Sequence, residues 1–360
     1  MSEPSERPLP HGRGSSDSPP RWRFGAILLG VAVSAICLWI AVRDVEWAAI
    51  PPAFAAADYR TLPLIGLLLV AFFWTKAVRW AALLRPLPRG SDEPFRANAV
   101  LPATLIGFAG NNVLPAHAGE FFRIAVVTKR WQTPAAGVLS TVVLERVLDV
   151  GAILALFAAS LPFVPGANAE YGGFVWIAAG CLAVAAAGCG LFLWQTDACV
   201  RLAETVLHAV PGLPEVVRTG VPRLLHQAAT GLHALRSGRA VAGLAALSLL
   251  HWALMGGMIW LCLAAFGQRL PLAAGTVVNG VIAFGVLVPA APGFFGVVQV
   301  CFRAGTAPFG VSAAAAFSAS VYYQITQWVP ITLAGALCAL RAGLWGGGKP
   351  VAAPADADAL

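Results

Sequence analysis

Apolar residues run along this chain in long unbroken stretches, without the alternation of a half-buried strand or the single stripe of a soluble helix. Six such stretches lie at about 24–42, 61–83, 135–160, 172–194, 240–266 and 311–340. Each is nearly free of charge or long enough as helix to cross about 30 Å of hydrocarbon. The runs are continuous rather than alternating in short segments, which argues against a membrane β-barrel. Two further apolar regions, 97–128 and 272–306, are broken near their middles by Pro and Gly.

The polar punctuation sets direction through the Lys/Arg bias of cytoplasmic loops. Arg21 and Arg23 precede the first span, Arg85, Arg89 and Arg96 follow the second, and Arg201, Arg218, Arg223, Arg236 and Arg239 fall in 195–239. The segment LPFVPGANAEY, 161–171, has no Lys or Arg and belongs outside. Residue 96 and the pair Lys129 and Arg130 therefore share the inner side, so 97–128 must enter and leave by the same face. By the same reasoning 272–306 enters from outside, between a span running outward and one returning to Arg341.

The two bends also resemble each other: VLPAHAGEFF at 113–122 and LVPAAPGFF at 287–295 align when Pro115 is laid on Pro289. Span, hairpin, span then occurs twice in opposite orientation, the pattern of an inverted-topology repeat. The fold expected is an all-α polytopic membrane protein of about six full spans and two oppositely oriented re-entrant helical hairpins. Pro115 and Gly119, and Pro289, Pro292, Gly293 and Gly296, mark the hairpin bends. Backbone freed there must be buried in protein or line a wet cavity.

Composition agrees: the 360 residues are 58% hydrophobic and 11% charged, with mean hydropathy +0.75, where soluble domains carry about 25% charge. The formal charge of +7 is explained by inner loops, with no basic stripe of interleaved aromatics to suggest nucleic acid. Seven scattered cysteines without a CxxC imply neither a disulfide scaffold nor a metal cage. Residues 1–20 and 346–360 read as disordered tails, both cytoplasmic, flanking a transmembrane domain at 21–345. Positions 199–238 are too charged to span and suit amphipathic helices on the cytoplasmic surface, with His208, His226 and His233 on their polar faces.

Ionisable groups within spans mark a pathway or a pair. Asn111, Asn112, His117, Glu120 and Arg123 cluster at the first bend. Glu120 and Arg123, three apart on a helix, either neutralise each other or leave Arg123 to present its forked donors to a phosphate. Glu145, Arg146 and Asp149 lie deep in the third span. Two acids four apart require a cation such as Arg123 or Arg146, and the resulting network serves architecture or transport. Gln299, Tyr323, Gln324 and Gln327 serve either as interhelical glue or as cavity lining. Lys76 and Arg79 are expected to snorkel to headgroups, and His251 and Asn279 stand alone. No metal set, cofactor motif or nucleophile–base pair is present.

The motifs NNxLPxxxGExxR at 111–123, TVVLERxxD at 141–149 and PxxPGxxG at 289–296 resemble, in that order, the membrane domain of the lysylphosphatidylglycerol synthase/flippase group. Asn112, Pro115, Gly119, Glu120, Arg123, Glu145, Arg146, Asp149, Pro292, Gly293 and Gly296 carry the likeness, which spans about 24–342. It implies a multi-pass inner-membrane protein that moves a phosphate-bearing lipid, such as a phospholipid or a polyprenyl-phosphate-linked lipid. His117, Gln299 and Tyr323 depart from the residues relatives often carry, which leaves headgroup and proton coupling open. The aminoacyl-transfer domain of the full synthases is not expected here, so the chain is read as no enzyme. A membrane lipid is the expected partner, nucleic acid is not, and a homodimer or a separate lipid-modifying enzyme stand as candidate partners. The alternative reading is a small-solute or ion-coupled transporter on the same frame.

Overall fold

The structure is a computed structural model that describes residues 21–114, 118–166, 195–209, 238–286 and 290–343, with isolated positions between 180 and 225. The expected span at 172–194, the bend residues Pro115, His117 and Pro289, both terminal tails, and His226 and His233 lie outside the described residues. Among those residues every regular element is helical: α1 (Arg21–Val42), α2 (Ile50–Ala55), α3 (Leu62–Leu84), α4 (Ala97–Val113), α5 (Gly119–Trp131), α6 (Ala135–Ser160), α7 (Thr196–Ala209), α8 (Gly238–Ala265), α9 (Leu272–Gly285), α10 (Val297–Thr306) and α11 (Ala313–Arg341). Short 3-10 turns complete the set. Two helices, Tyr59–Leu84 and Gly238–Ala265, are long and apolar enough to cross a membrane.

Local chemistry explains the breaks. Leu114, the residue before a proline, has left the helical region for φ −102°, ψ 145°, so α4 ends at Val113. In the second bend Gly293 and Gly296 take φ of +77° and +88°, backbone that a side chain would strain. The Gln299 side chain then accepts from the Gly296 N–H at 2.7 Å and starts α10. The helices flanking the bends have 17 and 13 residues, and 14 and 10. At a rise of 1.5 Å per residue they reach roughly 15–26 Å, short of the hydrocarbon thickness of about 30 Å.

Each pair folds back on itself, α4 against α5 and α9 against α10. The entry and exit of the first pair meet, because the Gly90 N–H donates to Trp131 O at 3.1 Å and the Thr133 hydroxyl to Pro88 O at 2.7 Å. Beyond its own pair, α4 lies on α11 and α3, α9 lies on α8 and α6, and α3 packs along α8. Helices far apart in sequence thus meet: α4 seats on α11, and α9 touches α6 as well as α8. Glycines permit the approach. A Cβ on Gly119 would sit 1.9 Å from Gly107 O, and one on Gly335 would sit 2.4 Å from Leu105 O.

Candidate functional site

Four helices turn charged faces toward one another at the centre of this packing. Helical spacing puts Lys76 and Arg79 together on α3, Glu120 and Arg123 on α5, Glu145 and Asp149 on α6, and Ser248 and His251 on α8. Lys76, Arg79, Arg123, Glu145 and Asp149 each expose 3% or less of their surface. Isolated charges at that depth would be prohibitive, so they occur only as a network.

Glu145 is its hub. One carboxylate oxygen accepts from Arg123 Nη2 at 2.6 Å, and the other lies 3.1 Å from Arg79 Nη2 and 3.8 Å from Lys76 Nζ. Asp149, one turn on, faces Arg79 Nη1 at 2.7 Å, Lys76 Nζ at 3.4 Å, Trp252 Nε1 at 2.8 Å and His251 Nε2 at 3.1 Å. Arg79 also donates to the Ser248 hydroxyl at 2.6 Å. Glu120 pairs with Arg146, half exposed, and lies 2.5 Å from Arg123 Nε without the alignment of a hydrogen bond. The Arg123 guanidinium sits over the Trp80 ring at 4.5 Å.

Four cations therefore face three carboxylates, leaving one positive charge in excess with His251 neutral. The donors are not exhausted either: Arg123 Nη1 and Arg79 Nε are buried without a hydrogen-bond partner. A buried, cation-rich cluster with free guanidinium donors has the chemistry to take one more anion.

The other candidate residues form separate groups. Gln299 Nε2 donates to Gln324 Oε1 at 2.5 Å, and Gln324 Nε2 to Gly293 O at 2.6 Å, so these amides hold the second bend to α11. Asn112 Nδ2 donates to the Thr332 hydroxyl at 3.0 Å, and Trp328 Nε1 to Asn112 O at 3.3 Å, tying the first bend to the same helix. Asn111 keeps a buried side-chain oxygen unpartnered beside Gly119. The Tyr323 hydroxyl reaches only Met255 Sδ, at 3.1 Å. Thus Glu120, Arg123, Glu145, Arg146 and Asp149 come together, while Asn111, Asn112, Gln299 and Tyr323 do not join them.

Two expectations are corrected. Lys76 and Arg79 do not snorkel; they are buried as the direct partners of Glu145 and Asp149, which supply more attraction than a distant headgroup layer could. His251 is not isolated but sits on Asp149.

Two surface cavities, of about 630 Å³ beside Arg269 and about 300 Å³ between Phe163 and Leu272, open at the far ends of α8 and α6, away from this cluster. Among the described residues no three His, Cys, Asp or Glu side chains gather as a metal site. The sequence model of the lysylphosphatidylglycerol synthase TM region matches residues 27–335. No curated protein matches the chain.

Proposed function

The chain belongs to the lysylphosphatidylglycerol synthase TM-region family, and on that premise we propose that it translocates a phosphate-bearing lipid across the cytoplasmic membrane, with the buried ion cluster as headgroup site. The observation that carries this reading is the unmatched cation: a network closed purely for architecture would balance its charge and use its donors, yet Arg123 Nη1 and Arg79 Nε are left over. One phosphodiester anion supplies both the missing charge and the missing acceptors. The lipid tails stay in hydrocarbon while the headgroup moves between leaflets, with no bond made or broken.

The architecture supports alternating access. Short helices folded back from one end, and the seating of α4 on α11 and of α9 on α6, are the arrangement expected of two re-entrant hairpins in an inverted repeat, whose halves rock about a central site. In this reading 21–345 is one transmembrane domain, both termini are cytoplasmic, α7 lies on the inner surface, and Gln299, Gln324, Asn111 and Asn112 hold the bends that move.

Reconstituted vesicles carrying a fluorescent phospholipid provide the test. Arg123→Lys keeps the charge and a contact to Glu145 but loses the fork, so flipping is expected to fall about tenfold or more with melting behaviour little changed. The double change Glu120→Gln with Arg123→Gln removes one charge of each sign. Wild-type flipping in that double variant overturns the assignment of the cluster as headgroup site.

A further inference from the structure

His251 is the one cluster residue whose contacts cannot all be met in its neutral form. Its ring is fully buried, with Nδ1 2.9 Å from Leu247 O and Nε2 3.1 Å from Asp149 Oδ1. A neutral imidazole has one N–H, whereas a carbonyl and an ionised carboxylate only accept. Whichever tautomer forms, one nitrogen lone pair faces an oxygen lone pair. A ring with both nitrogens protonated satisfies both contacts.

We propose that His251 takes up a proton together with the anionic headgroup, so that lipid and proton cross as one electroneutral load; this rests on the headgroup reading above. The charges around the ring set the coupling. Lys76 and Arg79 approach from α3, Asp149 and one turn away Glu145 from α6, while α9 carries no ionisable side chain and α11 brings only Tyr322, Tyr323, Cys338 and Arg341. In the empty site a proton on His251 raises the excess from one positive charge to two. With a phosphodiester bound, the same proton restores the excess of the empty site, and each ligand favours the other by reciprocal linkage. Phe72, edge-on to the imidazole with centroids 5.4 Å apart, covers the ring, so the proton is delivered when the cluster opens to admit the lipid.

The experiment uses the full chain in maltoside, free of other phosphate, titrated with short-chain phosphatidylglycerol in weakly buffered solution with a pH-indicator dye. Uptake approaching one proton per lipid bound is expected, and apparent affinity should fall by up to about tenfold per pH unit on the alkaline side. In His251→Gln the lipid still binds while the proton uptake and the pH slope disappear. Binding without proton uptake in the wild-type chain, or uptake that persists in His251→Gln, overturns the coupling and leaves the headgroup site standing. No binding at any pH overturns the headgroup site and the coupling together. The wild-type stoichiometry decides the matter even where the variant is poorly folded.

Discussion

Replacing Glu145 by glutamine probes the hub directly. The carboxylate lies 2.6 Å from Arg123, 3.1 Å from Arg79 and 3.8 Å from Lys76. At an effective dielectric near 20 the first two contacts are each worth about 5–6 kcal/mol of gross attraction, most of it offset by the several kcal/mol needed to strip water from each ion. Measured truncations of buried pairs cost about 3–5 kcal/mol. Here Arg79 and Lys76 keep Asp149, and Arg123 keeps Glu120, so the lower end applies: about 3 kcal/mol, or roughly a hundredfold in the folding equilibrium. Unfolding of the chain in lipid bicelles, followed by helical ellipticity, gives the difference. Adding Lys76→Met to Glu145→Gln returns the cluster to its wild-type excess of one positive charge and is expected to recover at least about 1 kcal/mol. A loss below about 1 kcal/mol for the single change, or no recovery in the double, refutes the view that Glu145 organises these cations.

Four other outcomes follow from the geometry. Gly119→Ala forces a methyl onto the Gly107 carbonyl and the Asn111 amide, both backbone, so a loss of about 3 kcal/mol or more is expected in the same unfolding measurement. Gln299→Ala removes the acceptor for the Gly296 N–H and the donor to Gln324; about 1 kcal/mol is expected, with faster hydrogen exchange across Gly293–Gln299 than in the wild-type chain. The hydrogen bond from Arg130 lowers the Glu93 pKa. Its stabilising contribution is therefore present above the unfolded carboxyl pKa and is lost as pH falls through the lower folded value; with 40% of the side chain exposed it is worth under about 1 kcal/mol, and carbonyl NMR titration of Glu93 in wild type and Arg130→Gln reads it. Cysteines placed at Asp92 and Gln132, in a version otherwise free of cysteine, should label from the cytoplasmic side, and those at Pro165 and Arg269 from outside; opposite labelling of 92 and 132 removes the re-entrant first hairpin.

Periodicity and breakers made the elements legible. The broken apolar regions read at 97–128 and 272–306 differ by at most three residues at any end from the helix pairs α4 with α5 and α9 with α10, because Pro and Gly act through local backbone sterics that need no tertiary context. The meeting of Arg123 with Glu145 was legible from charge alone. The fates of Lys76, Arg79 and His251 were not, because the same cation near a span end either snorkels or turns inward, depending on what the neighbouring helix presents. Only the packing of α3 and α8 beside α6 decides it, and no pattern within α3 records that neighbour.

The seat of α4 on α11 also has a consequence for biogenesis. The wall against which α4 rests is α11, beginning at Ala313, some two hundred residues after α4 ends. Until the ribosome has delivered it, the seam of Gly335 against Leu105 and Ala109 and the amide of Asn112 lack their partner. Enclosure of α4 thus waits on a helix made long after it. A chain cut short before Thr332 forfeits the partner of Asn112 and the close contact at Gly335 as well as its own tail.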